Sequence, residues 1–202
     1  MPRQDISSER KEQILDTAAA VFARRGFHQA RMDDIVQESG LSKGAIYWYF
    51  KSKDEIILAL MQRFFDRELS GLQALLTAEG AVRDRLLQFT QAVVQDVAQI
   101  AELGLMPLFL DFYGLSSRNA EVRAFLQATY TRSYRDALIP LIRQGIDRGE
   151  FRPVDPIETV ITLTALYEGL IVLWTIDPQT VRLEAQFTAA MELLLAGLAA
   201  EA

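Results

Sequence analysis

Periodicity constrains the fold of this chain more than any other feature. From Ile14 to Leu198 apolar residues recur three and four positions apart, and no stretch alternates in twos as a half-buried strand would. Ile14, Leu15, Ala18, Val21 and Phe22 share one face, and Ile56, Ile57, Leu60, Met61, Phe64, Phe65, Leu69 and Leu72 repeat the device. The breaks fall at helix punctuation. Ser7 or Ser8 is expected to cap the first helix. Gly26 followed by Phe27 reads as a left-handed end with its apolar partner. Ser52-Lys53-Asp54-Glu55 reads as a capping box, and Asp155-Pro156-Ile157-Glu158 as a cap with proline in the first turn. Asp177-Pro178 is expected to repeat that device before the last helix. Gly80, Gly104 with Pro107, and Gly114-Leu115-Ser116-Ser117 mark further turns. Pro140 is expected to kink its helix, and Gly145 and Gly149 to end it. The pattern predicts an all-α chain of roughly eight to ten helices.

Composition removes several kinds of chemistry. With no cysteine there is no thiolate nucleophile, disulfide framework or thiolate metal site, and His28 as the sole histidine leaves no multi-histidine site. No catalytic residue, metal or cofactor is expected. The polar segment from Met1 to Lys11 does not read as a signal peptide. The longest uninterrupted apolar stretches, Leu103 to Leu110 and Leu170 to Trp174, fall short of the ~20 residues of a membrane span. A cytoplasmic protein without a membrane partner is the expectation.

Residues 32–50 have the layout of a helix-turn-helix: a short helix from Met32 to Ser39, a glycine turn, and a second short helix capped by Ser42. Ile46 and Phe50 point inward, which leaves Lys43, Ala45, Tyr47, Trp48 and Tyr49 for a groove. Gly44 allows the backbone close to a phosphate, and Lys53 offers a cation at the start of the next helix. On spacing alone the same residues also suit an ordinary helical hairpin with an aromatic core. An all-α enzyme or a helical interaction protein with an incidental helix-turn-helix is then the alternative to a DNA-binding regulator.

The runs Phe22-Ala23-Arg24-Arg25-Gly26-Phe27, Met32-Asp33-Asp34-Ile35-Val36, and above all Ser42 to Glu55 resemble the DNA-binding segment of TetR-type transcriptional regulators. The resemblance covers residues 10–60, with a weaker echo from Gly145 to Pro156. It implies a three-helix DNA-binding domain over 1–53 and a helical effector-binding and dimerisation domain over 54–202. It further implies a homodimer on a palindromic double-stranded operator, most simply a repressor released by a small, largely apolar effector. By motif position Lys43, Tyr47, Tyr49 and Lys53 touch the DNA backbone while Ala45 and Trp48 face bases. The family's hydroxyl residue at the start of the second helix is replaced here by Ala30 and Arg31. That substitution forfeits a cap and offers Arg31 to phosphate.

Aromatic residues crowd the larger segment. Phe65, Phe109, Phe112, Tyr113, Tyr130, Tyr134, Tyr167 and Trp174, with Glu168 as an acid inside an apolar helix, are the candidate effector contacts. The last two helices are apolar on two faces, which suggests a partner subunit. Ile161, Thr164 and Ile171 on one helix and Phe187, Met191, Leu194, Leu195 and Leu198 on the other are the expected dimer contacts.

The net charge of −6 is unevenly spread. Residues 1–53 carry nine Lys and Arg against seven Asp and Glu, including every lysine in the chain. Residues 54–202 carry twelve Arg, no Lys and twenty acids. A basic head on an acidic body suits a protein that meets DNA only through its head.

Overall fold

The computed structural model describes residues 3–200, with side chains described for 7–75, 77–133 and 135–200. Among these the elements are α1 (Arg3–Arg25), α2 (Met32–Ser39), α3 (Lys43–Tyr49), α4 (Lys53–Thr77), α5 (Val82–Glu102), α6 (Met106–Leu115), α7 (Ala120–Ser133), α8 (Ile139–Asp147), α9 (Pro156–Ile176) and α10 (Leu183–Leu198). The all-α expectation holds, and among the described residues β pairing is limited to an isolated antiparallel bridge between Phe151 and Ala199.

The chain forms two packing units, residues 1–65 with 100–123, and 66–99 with 124–202. They cut across the boundary expected at residue 53, because residues 54–65 of α4 and all of α6 pack with the N-terminal helices. In the first unit Ile14, Leu15, Ala18, Val21 and Phe22 of α1 are buried with Phe27, Ile35, Ile46, Phe50, Ile56 and Ile57. Gly26 ends α1 at φ 74°, and Phe27 packs its ring edge-on to Phe22 at 5.5 Å. The segment leading into α6 approaches α1 closely, since a Cβ on Gly104 would lie 3.6 Å from that of Ala23. Phe64 and Phe109 meet edge-on at 4.9 Å.

In the second unit the buried Arg85 fastens the end of α4, giving Nη1 to the carbonyls of Leu75 at 2.7 Å and Ala78 at 3.0 Å, and Nη2 to Gln144. Free carbonyls at a helix C-terminus attract a cation in this way. The first turn of α5 is capped from far along the chain: Glu150 accepts from the N–H of Val82 at 2.6 Å.

Several expected boundaries move. Ser7 and Ser8 lie inside α1, which begins earlier. The helix expected to run through Pro140 is interrupted just before it: a π-helical turn, Tyr134–Leu138, follows α7, and α8 restarts with Pro140 in its first turn. Proline has no N–H for the preceding turn and its ring crowds that turn, which the wider π turn relieves. Gly114 and Leu115 complete α6, and Ser116 caps it. Asp177 closes α9 and accepts from the N–H of Thr180 at 3.1 Å, holding a turn, so α10 starts only at Leu183. Gly149, at φ 72°, ends α8, while Gly145 sits within it for another reason. A Cβ there would lie 2.3 Å from the ring of Phe151. Gly145→Ala is therefore expected to cost about 1–3 kcal/mol by overpacking, read as a lower midpoint in urea.

The expected dimer contacts are only partly at the surface. Phe187, Met191, Leu195 and Leu198 are buried within their own chain, because this face of α10 packs against α9. Of the eight, Ile161 is exposed and Thr164, Ile171 and Leu194 are half-buried. The apolar surface left open runs along Ile157, Ile161, Leu166, Val172, Leu173 and Ile176 of α9 and Leu193 of α10. At about 100° per residue the six on α9 spread over about half of that helix's circumference. Counting uninterrupted apolar runs understated α9. Its 21 residues reach a mean hydropathy of 1.7, enough by length and composition to cross a membrane, and only 17% of that window is buried inside the chain.

Candidate functional site

The helix-turn-helix is assembled by short polar contacts. Arg31 begins α2 in extended conformation, and its N–H donates to Asp34 Oδ2 at 2.9 Å. Only this half of a capping box forms, since a guanidinium has no acceptor to return. Asp34 also holds Arg25 at 2.9 Å, tying α2 to the end of α1. Gly40 ends α2 at φ 68°. Gln13 of α1 donates to the carbonyl of Ser39 at 3.1 Å, and Ser39 Oγ accepts from the N–H of Leu41 at 3.2 Å. Ser42 Oγ then accepts from the N–H of Ala45 at 3.2 Å, the predicted cap of α3.

α3 buries Ile46, with Phe50 just beyond it, and offers its remaining side chains outward. Trp48 is 68% exposed, a large aromatic left mostly open among the described residues. Tyr49 braces it edge-on at 4.6 Å and donates its own hydroxyl to Ser7 at 3.2 Å. Lys43 pairs with Asp33 at 2.8 Å and stands 5.7 Å above the Tyr47 ring. The hydrogen bond with Asp33 raises its pKa, so it stays cationic. Ala45 and Tyr47 are half-buried, and a Cβ on Gly44 would meet nothing within 4 Å. The surface over Gly44 is thus open to a partner.

Two cations near the start of α2 play different parts. Arg31 is exposed, and its guanidinium has no hydrogen bond or ion pair among the described residues. With Arg25, His28, Lys51 and Lys53 it lines a shallow depression of about 810 Å³. Lys53, expected as a free cation, is committed inside the protein. Its ammonium donates to the carbonyls of Phe27 at 2.6 Å, His28 at 3.0 Å and Ala30 at 3.2 Å, and lies 4.6 Å from the centre of the Phe27 ring. The loop's carbonyls converge where the capping box places Lys53, so all three donors are used. The serine half of the expected box forms, Ser52 Oγ accepting from the N–H of Glu55 at 3.2 Å, while Glu55 accepts from the N–H of Lys51, one residue before the cap, at 2.7 Å.

The nine candidate effector contacts divide between the two units. Phe65 and Phe112 are buried and Phe109 and Tyr113 half-buried in the first. Tyr130, Tyr167, Glu168 and Trp174 lie half-buried in the second, and the side chain of Tyr134 is outside the described residues. Tyr130 donates its hydroxyl to Glu168 at 3.0 Å. Tyr167 shares a hydrogen bond with Thr90 and packs edge-on to Phe187 at 4.9 Å. Burial is the first cause that raises its phenol pKa.

Beside them stands a residue that sequence reasoning missed. Glu68 of α4 lines a cavity of about 120 Å³ with Arg67, Gln88, Phe89 and Asp96. Burial first, then Glu168 and Asp96, push its carboxyl up to about 7. The signal was available: Glu68 falls at inward spacing between Phe65 and Leu72, on a face otherwise apolar.

Comparison with known proteins matches both parts. The family described as bacterial regulatory proteins of the tetR family matches residues 14–60, and that described as BetI-type transcriptional repressor, C-terminal, matches 82–199. The uncharacterized HTH-type transcriptional regulator YfiR of Bacillus subtilis (strain 168) is 30% identical over 158 residues, 78% of this chain and 75% of YfiR. A transcriptional regulator from Saccharomonospora viridis, solved in complex with choline, superposes with a TM-score of 0.76 at 25% identity, covering 96% of this chain and 100% of its own. FadR from Bacillus subtilis, solved with stearoyl-CoA, shares the fold with a TM-score of 0.75 at 22% identity, over 93% of this chain and 98% of that one.

Proposed function

The chain belongs to the TetR family of bacterial transcriptional regulators, and from that premise we propose that it is a cytoplasmic, effector-responsive repressor and not an enzyme. Residues 1–53 carry DNA binding, and residues 54–202 carry the effector site and the dimer contact. The observation that carries the DNA reading is α3 itself. Its buried Ile46 fixes the helix, while Trp48, Lys43 and the open surface over Gly44 remain for the duplex. Trp48 and Ala45 face bases; Lys43, Tyr47, Tyr49 and Arg31 hold the backbone. Lys53 acts one step back, by fixing the loop before α2.

The exposed stripe of α9 and α10 supports a homodimer, since a second copy would cover it. Two such chains would read a palindrome whose half-sites lie ~34–36 Å apart. α4 gives residues 53–65 to one packing unit and 66–77 to the other. An effector that shifts α4 would change the spacing of the two α3 helices and release the operator.

Gel-shift titration on the DNA flanking the chain's own gene tests this: Lys43→Ala and Tyr47→Ala should abolish retardation, and indifference to both would overturn the reading. A finer expectation concerns Arg31. Arg31→Ala should weaken binding about equally on all sequences and reduce the slope of log K against log salt by ~0.9 per protomer, the release of one phosphate contact. An unchanged slope would place Arg31 off the DNA.

A further inference from the structure

We propose that the effector of this chain is an organic cation, anchored by the carboxylate of Glu68 against the ring of Phe89. The inference rests on the reading of residues 54–202 as an effector domain and names the ligand class of that domain.

The cavity beneath α4 holds more negative charge than the protein balances. Glu68 and Asp96 line it, and Glu168 of α9 stands near enough to perturb Glu68. The cation there, Arg67, is engaged with Asp96 at 3.1 Å. Glu168 accepts from Tyr130 at 3.0 Å. Glu68 has no hydrogen bond or ion pair among the described residues, although the surrounding protein removes most of its water. A carboxylate in that position is costly unless a partner arrives.

The walls say what kind of partner fits. Phe89 lines the cavity and stacks, tilted, with Tyr167 at 6.3 Å. An aromatic ring and a carboxylate lining one cavity favour a diffuse, weakly hydrated cation such as a substituted ammonium. A neutral apolar ligand would bury Glu68 without pairing it, and an anion would repel it. A metal ion is a poor fit. Among the described residues, no three His, Cys, Asp or Glu side chains are grouped so as to share one.

Proton linkage gives the proposal a second signature. Glu68 is raised to about 7 by burial, Glu168 and Asp96, with Tyr167 on the same side and Arg67 committed to Asp96. Near neutrality it is partly protonated, and a bound cation favours the ionised form. Binding therefore releases a proton, and affinity should rise about tenfold between about pH 6 and pH 8.

The test is calorimetric titration of the full chain with choline, tetraethylammonium and benzyltrimethylammonium, against the neutral 3,3-dimethylbutan-1-ol, which matches choline in shape, and benzyl alcohol. The expected result is that at least one cation binds, that affinity climbs with pH, and that Glu68→Gln loses tenfold or more and abolishes the pH dependence. Glu68→Gln is isosteric and should melt no lower than the parent chain. Its gain over the parent chain should be larger at about pH 8 than at about pH 5, because the raised carboxyl destabilises the fold only once ionised. The proposal is overturned if no cation binds, if 3,3-dimethylbutan-1-ol matches choline, or if Glu68→Gln binds cations unchanged. Operator release by the neutral compounds alone would sink the cation and keep the effector domain. An operator complex that no small molecule disturbs would sink the wider reading as well.

Discussion

Replacing Lys53 by methionine is expected to lower the melting temperature by about 5–10 °C. Methionine keeps the length and the apolar stem and removes only the ammonium. Three carbonyls of the 27–30 loop then lose a charge-assisted donor at once. Each such bond contributes about 1.5–3 kcal/mol when measured alone. Water can reach this half-buried site and recover part of that, which leaves a net loss of about 2–3 kcal/mol. A chain of this size loses about 2–4 °C per kcal/mol. Lys53→Arg should not restore the loss, because a planar guanidinium cannot aim three N–H groups at carbonyls gathered round one point. The competing view, a lysine that contacts DNA phosphate, predicts the reverse. Melting would be unchanged, and the salt dependence of operator binding would flatten by about one ion per protomer. Thermal scans and a salt titration on the same two variants decide between them.

Lys53 also shows where sequence reasoning stops. The capping box placed its Cα correctly at the head of α4, since Ser52 and Glu55 are local signals. The direction of the ammonium depends on carbonyls 23 to 26 residues earlier in the chain, which no local pattern records. The same division runs through the molecule. α3 was legible to the residue, from Lys43 to Tyr49, because its cap and its terminating Phe50 are adjacent in sequence. Gly145 was misread as a terminator because its reason is the ring of Phe151, across a turn. Asp177 was misread as the cap of α10 because an aspartate before proline suits a tight turn as well as a helix start. The candidate effector residues were chosen for aromaticity, yet the cavity's most distinctive side chain is an acid. Aromatic counting selects core and pocket alike, whereas a carboxylate at an inward position is rare enough to notice.

The face of α10 was the costliest ambiguity, and it yields the second large effect. A helix apolar all round gives two possible seams, and periodicity cannot rank them. The structure does: Leu195 is 1% exposed and Leu193 is 75% exposed, two residues apart on opposite sides. Glutamate at these positions should therefore fail in different ways. Leu195→Glu puts an unpaired charge in the core and should cost more than about 4 kcal/mol, seen as aggregation or a lost melting transition. Leu193→Glu faces solvent in the single chain and should melt within about 0.5 kcal/mol of the parent in stability per chain. In the proposed dimer that same glutamate falls between two apolar surfaces. Sedimentation should then show a monomer, and Ile161→Glu on α9 should do likewise. Operator affinity should fall by about 10²–10⁴, because the second half-site is no longer held at high effective concentration. Binding to an isolated half-site should be untouched, since α3 is intact. A Leu193→Glu chain that sediments as a dimer would mean that this stripe is not where two copies meet. The exposed length of α9, with its mean hydropathy of 1.7, would then need a different cover.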